Sequence, residues 1–197
     1  EYVKKMLDMM FMLKLNVFHW HLTDDQGWRI EIKKYPLLTE IGSKRAYTQI
    51  HGWGSTDIIN EEYSGFYTQD DNAAKRGIMV VPEIDFPAHC AAAIAAYPWL
   101  ACREINRDVP GYFGGAIPQR KLRQFDWNRP ICPGKDKTVD FVKNVIDEVC
   151  ALFPAPYFHI GGDEAPKSEW KKCPCCQKRI IRCPLIRSIH VSGYRHG

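Results

Sequence analysis

Ile78-Met79-Val80-Val81-Pro82-Glu83-Ile84 is an apolar run that meets a carboxylate at its end. Such a run, without polar alternation, suits a strand covered on both faces, as in a parallel sheet. Upstream, Leu15-Asn16-Val17-Phe18-His19-Trp20-His21-Leu22 is rich in β-branched and aromatic residues and predicts a strand buried on at least one face. Ahead of it, Val3, Met6, Met10 and Leu13 recur at helical spacing. Thr68-Gln69-Asp70-Asp71 predicts a capped helix start, with Gly77 as its stop. Downstream, residues 138–153 predict a third helix with Val139, Val142, Ile146, Val149 and Phe153 along one face. Pro154 and Pro156 end it, and residues 157–160 predict a third strand. Helix–strand alternation of this kind implies an α/β fold with parallel strands and right-handed crossovers.

The 197 residues are 45% hydrophobic and 25% charged. These fractions exclude a disordered, collagenous or coiled-coil chain. No apolar run approaches the roughly 18 residues of a membrane span. The chain opens on Glu1 rather than Met, as a fragment would. The net charge of +4 sits in residues 171–197, which hold seven basic and no acidic residues. The remainder carries 20 basic against 23 acidic residues, and nucleic-acid binding, which shows as a basic patch over the fold, is not expected. Of the eight cysteines, the four of the body, Cys90, Cys102, Cys132 and Cys150, are too widely and irregularly spaced for a disulfide scaffold. Cys173 and Cys176 have the C-x2-C spacing of zinc ligands, but only Cys183 follows them in the tail, so no metal site is predicted.

Polar residues gather after each apolar strand. The first strand runs into His21-Leu22-Thr23-Asp24-Asp25-Gln26-Gly27-Trp28-Arg29, the second into Glu83, Asp85 and His89, the third into His159-Ile160-Gly161-Gly162-Asp163-Glu164. Parallel α/β proteins build their active sites at the carboxyl ends of strands. One such cluster alone reads as a solvated loop. Three at the same relative position read as a site. Adjacent Asp163 and Glu164 can face one ligand only where a strand ends and turns, and the two glycines permit that turn.

These three segments, with Pro82-Glu83-Ile84-Asp85-Phe86-Pro87-Ala88-His89 as the second, resemble the signature segments of the β-N-acetylhexosaminidases, the family 20 glycoside hydrolases. The resemblance covers about residues 1–176. It implies a partial (β/α)8 TIM barrel, about strands two to four with their helices and long βα loops. Residues 177–197 form an atypical basic tail, read as frameshifted or disordered. The implied reaction removes a terminal β-linked N-acetylhexosamine, GlcNAc or GalNAc, from glycans or chitooligosaccharides. Family analogy makes Glu164 the acid and base, with Asp163 orienting the substrate's 2-acetamido group. His89 and Asp24 form a relay to Glu164, while Asp85 and His21 support the sugar site. Trp28 and Trp53 are candidates to stack on the sugar. No cofactor is implied, and the parent enzyme would be secreted, periplasmic or lysosome-like. Three departures stand out: Ala88 replaces a family glycine, the first strand's arginine is absent, and so are strands five to eight. Val17, Val80 and Ile160 would face the barrel interior that the absent strands fill, and this chain alone is expected to turn over little substrate. The alternative is an inactive or merely carbohydrate-binding member of the family; retention of Asp163, Glu164, His89 and Asp24 together argues against it.

Overall fold

In a computed structural model, residues 1–52, 55–69, 77–104, 106–113 and 130–182 are described. Helix α1 (Tyr2–Met12) packs through Leu7, with Val3, Met6 and Met10 half-buried on the same side. It leads into strand β1 (Val17–His21). The short β2 (Thr23–Asp24) and β3 (Gly27–Trp28) form an antiparallel hairpin directly after it. A single helical turn, α2 (Leu37–Glu40), follows. The long segment of residues 44–67 then carries a second hairpin, β4 (Thr48–Gln49) with β5 (Ile58–Ile59). The helix expected from residue 68 falls mostly outside the described residues, as does Trp53.

Strand β6 (Met79–Glu83) pairs in parallel with β1, in a register that sets Val17 opposite Met79 and His21 opposite Glu83. The third predicted strand continues this sheet only as a parallel bridge from Glu83 to His159. Three hydrogen bonds carry it: His159 N–H to Pro82 C=O (3.0 Å), Ile84 N–H to His159 C=O (3.1 Å) and Phe86 N–H to Ile160 C=O (2.9 Å). Gly161 and Gly162 at positive φ (64° and 103°) turn the chain away at once, which leaves no length for a regular strand.

Helices α3 (Ala91–Ala96) and α4 (Asp136–Leu152) cover one face of the sheet, with a 3-10 turn at Pro98–Leu100 between them. The buried face of α4 is Thr138, Phe141, Val145 and Val149, spaced three, four and four. It is rotated one residue from the predicted face of Val139, Val142 and Ile146, because the Phe141 ring fills the centre of an aromatic cluster. Tyr35 and Trp99 lie 4.6 and 5.9 Å from that ring, and Trp28, Phe86 and Tyr97 surround them at 6.2–6.5 Å.

Two expectations are corrected here. Trp28 is 1% exposed, and its Nε1–H donates to Ile30 C=O (2.8 Å), so it is a core residue that cannot reach a sugar. Val80 lies on the opposite face from Val17, because Val17 pairs with Met79 and side chains alternate along a strand. Val80 joins Trp20 in the helix-covered core, whereas Val17 and Ile160 are exposed. Helices α5 (Ser168–Lys172) and α6 (Pro174–Arg182) close the described chain. α6 crosses the boundary expected at residue 176, and residues 183–197 lie outside the description. Among the described residues, no helix is long and apolar enough to cross a membrane.

Phe141→Ala should lower stability by about 3–5 kcal/mol, since it empties the centre of the core. A fall in the urea midpoint at unchanged slope would record it.

Candidate active site

The parallel register brings the ends of β1, β6 and the 157–160 segment to one side. Glu83 sits where they meet. Its Oε2 lies 2.6 Å from His19 Nε2 and 3.1 Å from His21 Nδ1, and its Oε1 lies 3.1 Å from His159 Nδ1. Burial works to raise the Glu83 carboxyl, but the His21 hydrogen bond and three neighbouring imidazoles outweigh it and hold it below the usual range.

From His21 the polar contacts run outward in a line. His21 Nε2 lies 3.2 Å from Asp24 Oδ2, and Asp24 Oδ1 lies 3.1 Å from His89 Nδ1. His89 Nε2 in turn lies 3.4 Å from Glu164 Oε2. His89 Nδ1 also stands 3.5 Å from Asp25 Oδ2. Asp25 is buried, and its Oδ1 accepts the Ala91 N–H (2.9 Å) at the start of α3. One carboxylate therefore ties the imidazole to the scaffold while the other aligns it.

Asp85 is held separately. Its N–H donates to Thr23 Oγ1 (3.0 Å), and its Oδ1 accepts the Gly162 N–H (3.2 Å). A Cβ at Gly161 would fall 2.0 Å from Asp85 Oδ1, so only glycine lets the turn pass this close. Asp85, His89 and Asp163 bring their polar atoms within 4.8 Å of one another. Glu164 and His89 both have positive φ, 45° and 50°. Such conformations are costly outside glycine and persist only where surrounding structure imposes them.

Electrostatics follow from these contacts. Hydrogen bonds to Asp24 and Asp25 push His89 up to about 11 against the opposing effect of burial. The Asp24 hydrogen bond pushes His21 to about 9, again against burial. Burial also works to raise Asp24, but hydrogen bonds from His21 and His89 hold it well below the carboxylate range. Burial, aided by the Asp163 charge, pushes Asp85 up to about 6. His21 and His89 are thus favoured as cations and Asp24 and Glu83 as anions, while Asp85 is shifted the other way, toward its protonated form.

Six of the eight residues singled out from the sequence therefore gather here, Glu164, Asp163, His89, Asp24, Asp85 and His21; Trp28 does not, and Trp53 lies outside the described residues. Glu83 stood in the post-strand clusters but without a role. Asp25, His19 and His159 were likewise given none. The His-x-His alternation of residues 19 and 21 was the available signal, since it places both rings on one strand face. Asp25 gave none beyond adjacency to Asp24.

The sequence matches the family model described as "Glycosyl hydrolase family 20, catalytic domain" over residues 1–191. It is 48% identical over 189 residues to a beta-hexosaminidase of Porphyromonas gingivalis, an alignment that covers 91% of this chain and 21% of that protein. It is 34% identical to an N,N'-diacetylchitobiase of Vibrio harveyi, over 81% of this chain and 21% of the relative. Among solved structures, a beta-N-acetylhexosaminidase from Bacteroides fragilis superposes with a TM-score of 0.69 at 46% identity, covering 91% of this chain and 32% of that one. A Vibrio harveyi exo beta-N-acetylglucosaminidase in complex with N-acetylglucosamine superposes at 0.70 with 40% identity, covering 92% and 28%. The chain thus spans between a fifth and a third of the length of these relatives.

The pair of Asp24 and His89 should confer a stability that depends on pH from both sides. Asp24, with its lowered pKa, contributes above its unfolded value of 3.8 and loses that contribution on acidification. His89, with its raised pKa, contributes fully below 6.5 and loses that contribution as pH climbs through about 11. NMR titration of the imidazoles should find His89 protonated through pH 9 and, in Asp24→Asn, deprotonating at clearly lower pH. An unchanged titration in the variant would contradict this pairing.

Proposed function

The chain belongs to glycosyl hydrolase family 20, and from that premise we propose that it forms part of a β-N-acetylhexosaminidase, spanning strands two to four of a (β/α)8 barrel. In the protein that carries it, the substrate is a glycan or chitooligosaccharide ending in a β-linked N-acetylhexosamine. The reaction is substrate-assisted hydrolysis with retention of configuration. The 2-acetamido oxygen bonds to the anomeric carbon as the glycosidic C–O bond breaks, and Glu164 passes its proton to the departing oxygen. Water then attacks the anomeric carbon, Glu164 takes up its proton, and the oxazolinium ring reopens.

One observation carries this reading: His89 lies between Asp24 and Glu164, while Asp163, with Asp85 beside it, approaches the same imidazole from the neighbouring turn. A carboxyl that gives up a proton and takes one back needs a neighbour that holds it in place, and the Asp24–His89 pair supplies one. Asp163, an anion beside the acetamido N–H, orients the internal nucleophile and offsets the positive charge that develops on it. Burial, with the Asp163 charge beside it, raises the Asp85 carboxyl, and Asp85 holds the turn ahead of Asp163 by accepting the Gly162 N–H. Glu164 takes a positive φ (45°) directly after the Gly161-Gly162 turn, a conformation that the surrounding structure must impose. Holding these groups before substrate arrives is worth more than strengthening any single contact.

In the full-length enzyme, Glu164→Gln should cost about 10²–10⁴-fold in turnover of substrates with poor leaving groups, and much less with good ones. Asp163→Asn should slow every 2-acetamido substrate alike, because it acts on the nucleophile and not on the leaving group. Steady-state rates across a leaving-group series check both; a Glu164→Gln loss that ignores the leaving group would overturn the assignment.

A further inference from the structure

Away from the active site, four cysteines from three separate segments converge. Cys102 follows the 3-10 turn, Cys132 precedes α4, and Cys173 and Cys176 flank and enter α6. Cys132 Sγ lies 3.4 Å from Cys176 Sγ and 3.7 Å from Cys173 Sγ, and Cys102 Sγ lies 3.7 Å from Cys176 Sγ. All four sulfurs are within 4.8 Å of one another. We infer that Cys102, Cys132, Cys173 and Cys176 form a structural metal site that takes one zinc ion in tetrahedral tetrathiolate coordination.

The spacing decides between zinc and disulfides. A zinc–sulfur bond of about 2.3 Å places the sulfurs of a regular tetrahedron about 3.8 Å apart, and the Cys132–Cys176, Cys132–Cys173 and Cys102–Cys176 separations are 3.4–3.7 Å. A disulfide requires about 2.0 Å between one chosen pair. Here Cys132 and Cys176 each have two near sulfur neighbours, which is the connectivity of a cluster and not of two pairs. Soft thiolates select zinc among the common divalent ions, and a closed set of four suits a structural site.

The surroundings are built for it. Cys132, Cys173 and Cys176 are buried as a cluster of their own, with Trp170 packed against them. The Trp170 Nε1–H donates to Ile131 C=O (3.0 Å), and the Cys132 N–H donates to Leu100 C=O (2.6 Å), so the backbone under the cysteines is held from both sides. A Cβ at Gly134 would fall 2.3 Å from the Cys175 and Cys176 backbone, so glycine is what allows the Cys132 turn to lie against α6. Binding replaces four S–H bonds with four Zn–S bonds, releases the protons, and leaves a site of charge −2. Lys171, Lys172, Lys178 and Arg182 lie in the same stretch of sequence as Cys173 and Cys176, while Arg179 pairs with Asp136 at the start of α4. Downstream of Cys176 the only further cysteine is Cys183, so no second cysteine pair follows. The fold supplies it from upstream.

The ion would clamp the segment that leaves Glu164 onto the start of α4, at no contact with the reacting groups. The test uses the full chain, reduced and freed of metal, titrated with Co²⁺ and then Zn²⁺. One cobalt per chain should give sulfur-to-cobalt charge-transfer absorption and the intense visible bands of a tetrahedral site, which zinc then bleaches. Cys173→Ser with Cys176→Ser should abolish these bands, and Cys175→Ser or Cys150→Ser should leave them intact. Absence of the bands in the unmutated chain would overturn the site. So would retention of the bands in Cys132→Ser, or four thiols lost as two disulfides when the chain is isolated without reductant.

Discussion

The parallel register that sets Glu83 opposite His21 on one side and His159 on the other is the constraint on which the site depends. Because the strands run the same way, everything that follows them in sequence emerges at one edge. Asp24 and Asp25, Asp85 and His89, and Asp163 and Glu164 thus become neighbours although they come from three distant segments. A slip of one residue would turn His19, His21 and Glu83 to the helix-covered face and break the charge layer that joins the strands. Glu83 resists that slip: its carboxylate is shared among three imidazoles that only this register brings within reach.

That edge carries strain which the core must impose. His89 and Glu164 hold backbone conformations that side chains disfavour, and each is bracketed by rigid structure. Asp25 fixes the chain around His89 by accepting from the first N–H of α3. Asp85 fixes the turn ahead of Glu164 by accepting from Gly162. Beneath both lies the aromatic cluster around Phe141, which joins α4 to the sheet and to the loop of Trp28. Trp28 therefore serves the site from below, by supporting the hairpin that presents Asp24.

The segment between Gly161 and Cys176 is anchored twice. At one end Asp85 and His89 meet it; at the other, the four cysteines and Trp170 tie it to the base of α4. A short, glycine-rich turn has little packing of its own, so its geometry is set by what holds its ends. The basic residues Lys171, Lys172, Arg179 and Arg182 lie in the last turns of α5 and α6, within or just beyond the same segment.

The linear pattern of residues was enough to read the α/β class, the two paired strands and the three clusters of carboxylate and imidazole, because apolar runs and helical periodicity are local properties. It also pointed to Asp24, Asp85, His89, Asp163 and Glu164, since these cluster where strands end. Other features needed the fold. Which face of α4 is buried depended on where the Phe141 ring found space, and whether Trp28 met solvent depended on the rings around it. The roles of Glu83 and Asp25 arise from cross-strand register and from the N–H of a helix sixty-six positions away. The four-cysteine cluster is the clearest case. Two of its members carry a recognisable spacing, but Cys102 and Cys132 are separated by long loops, and only tertiary packing closes the tetrahedron.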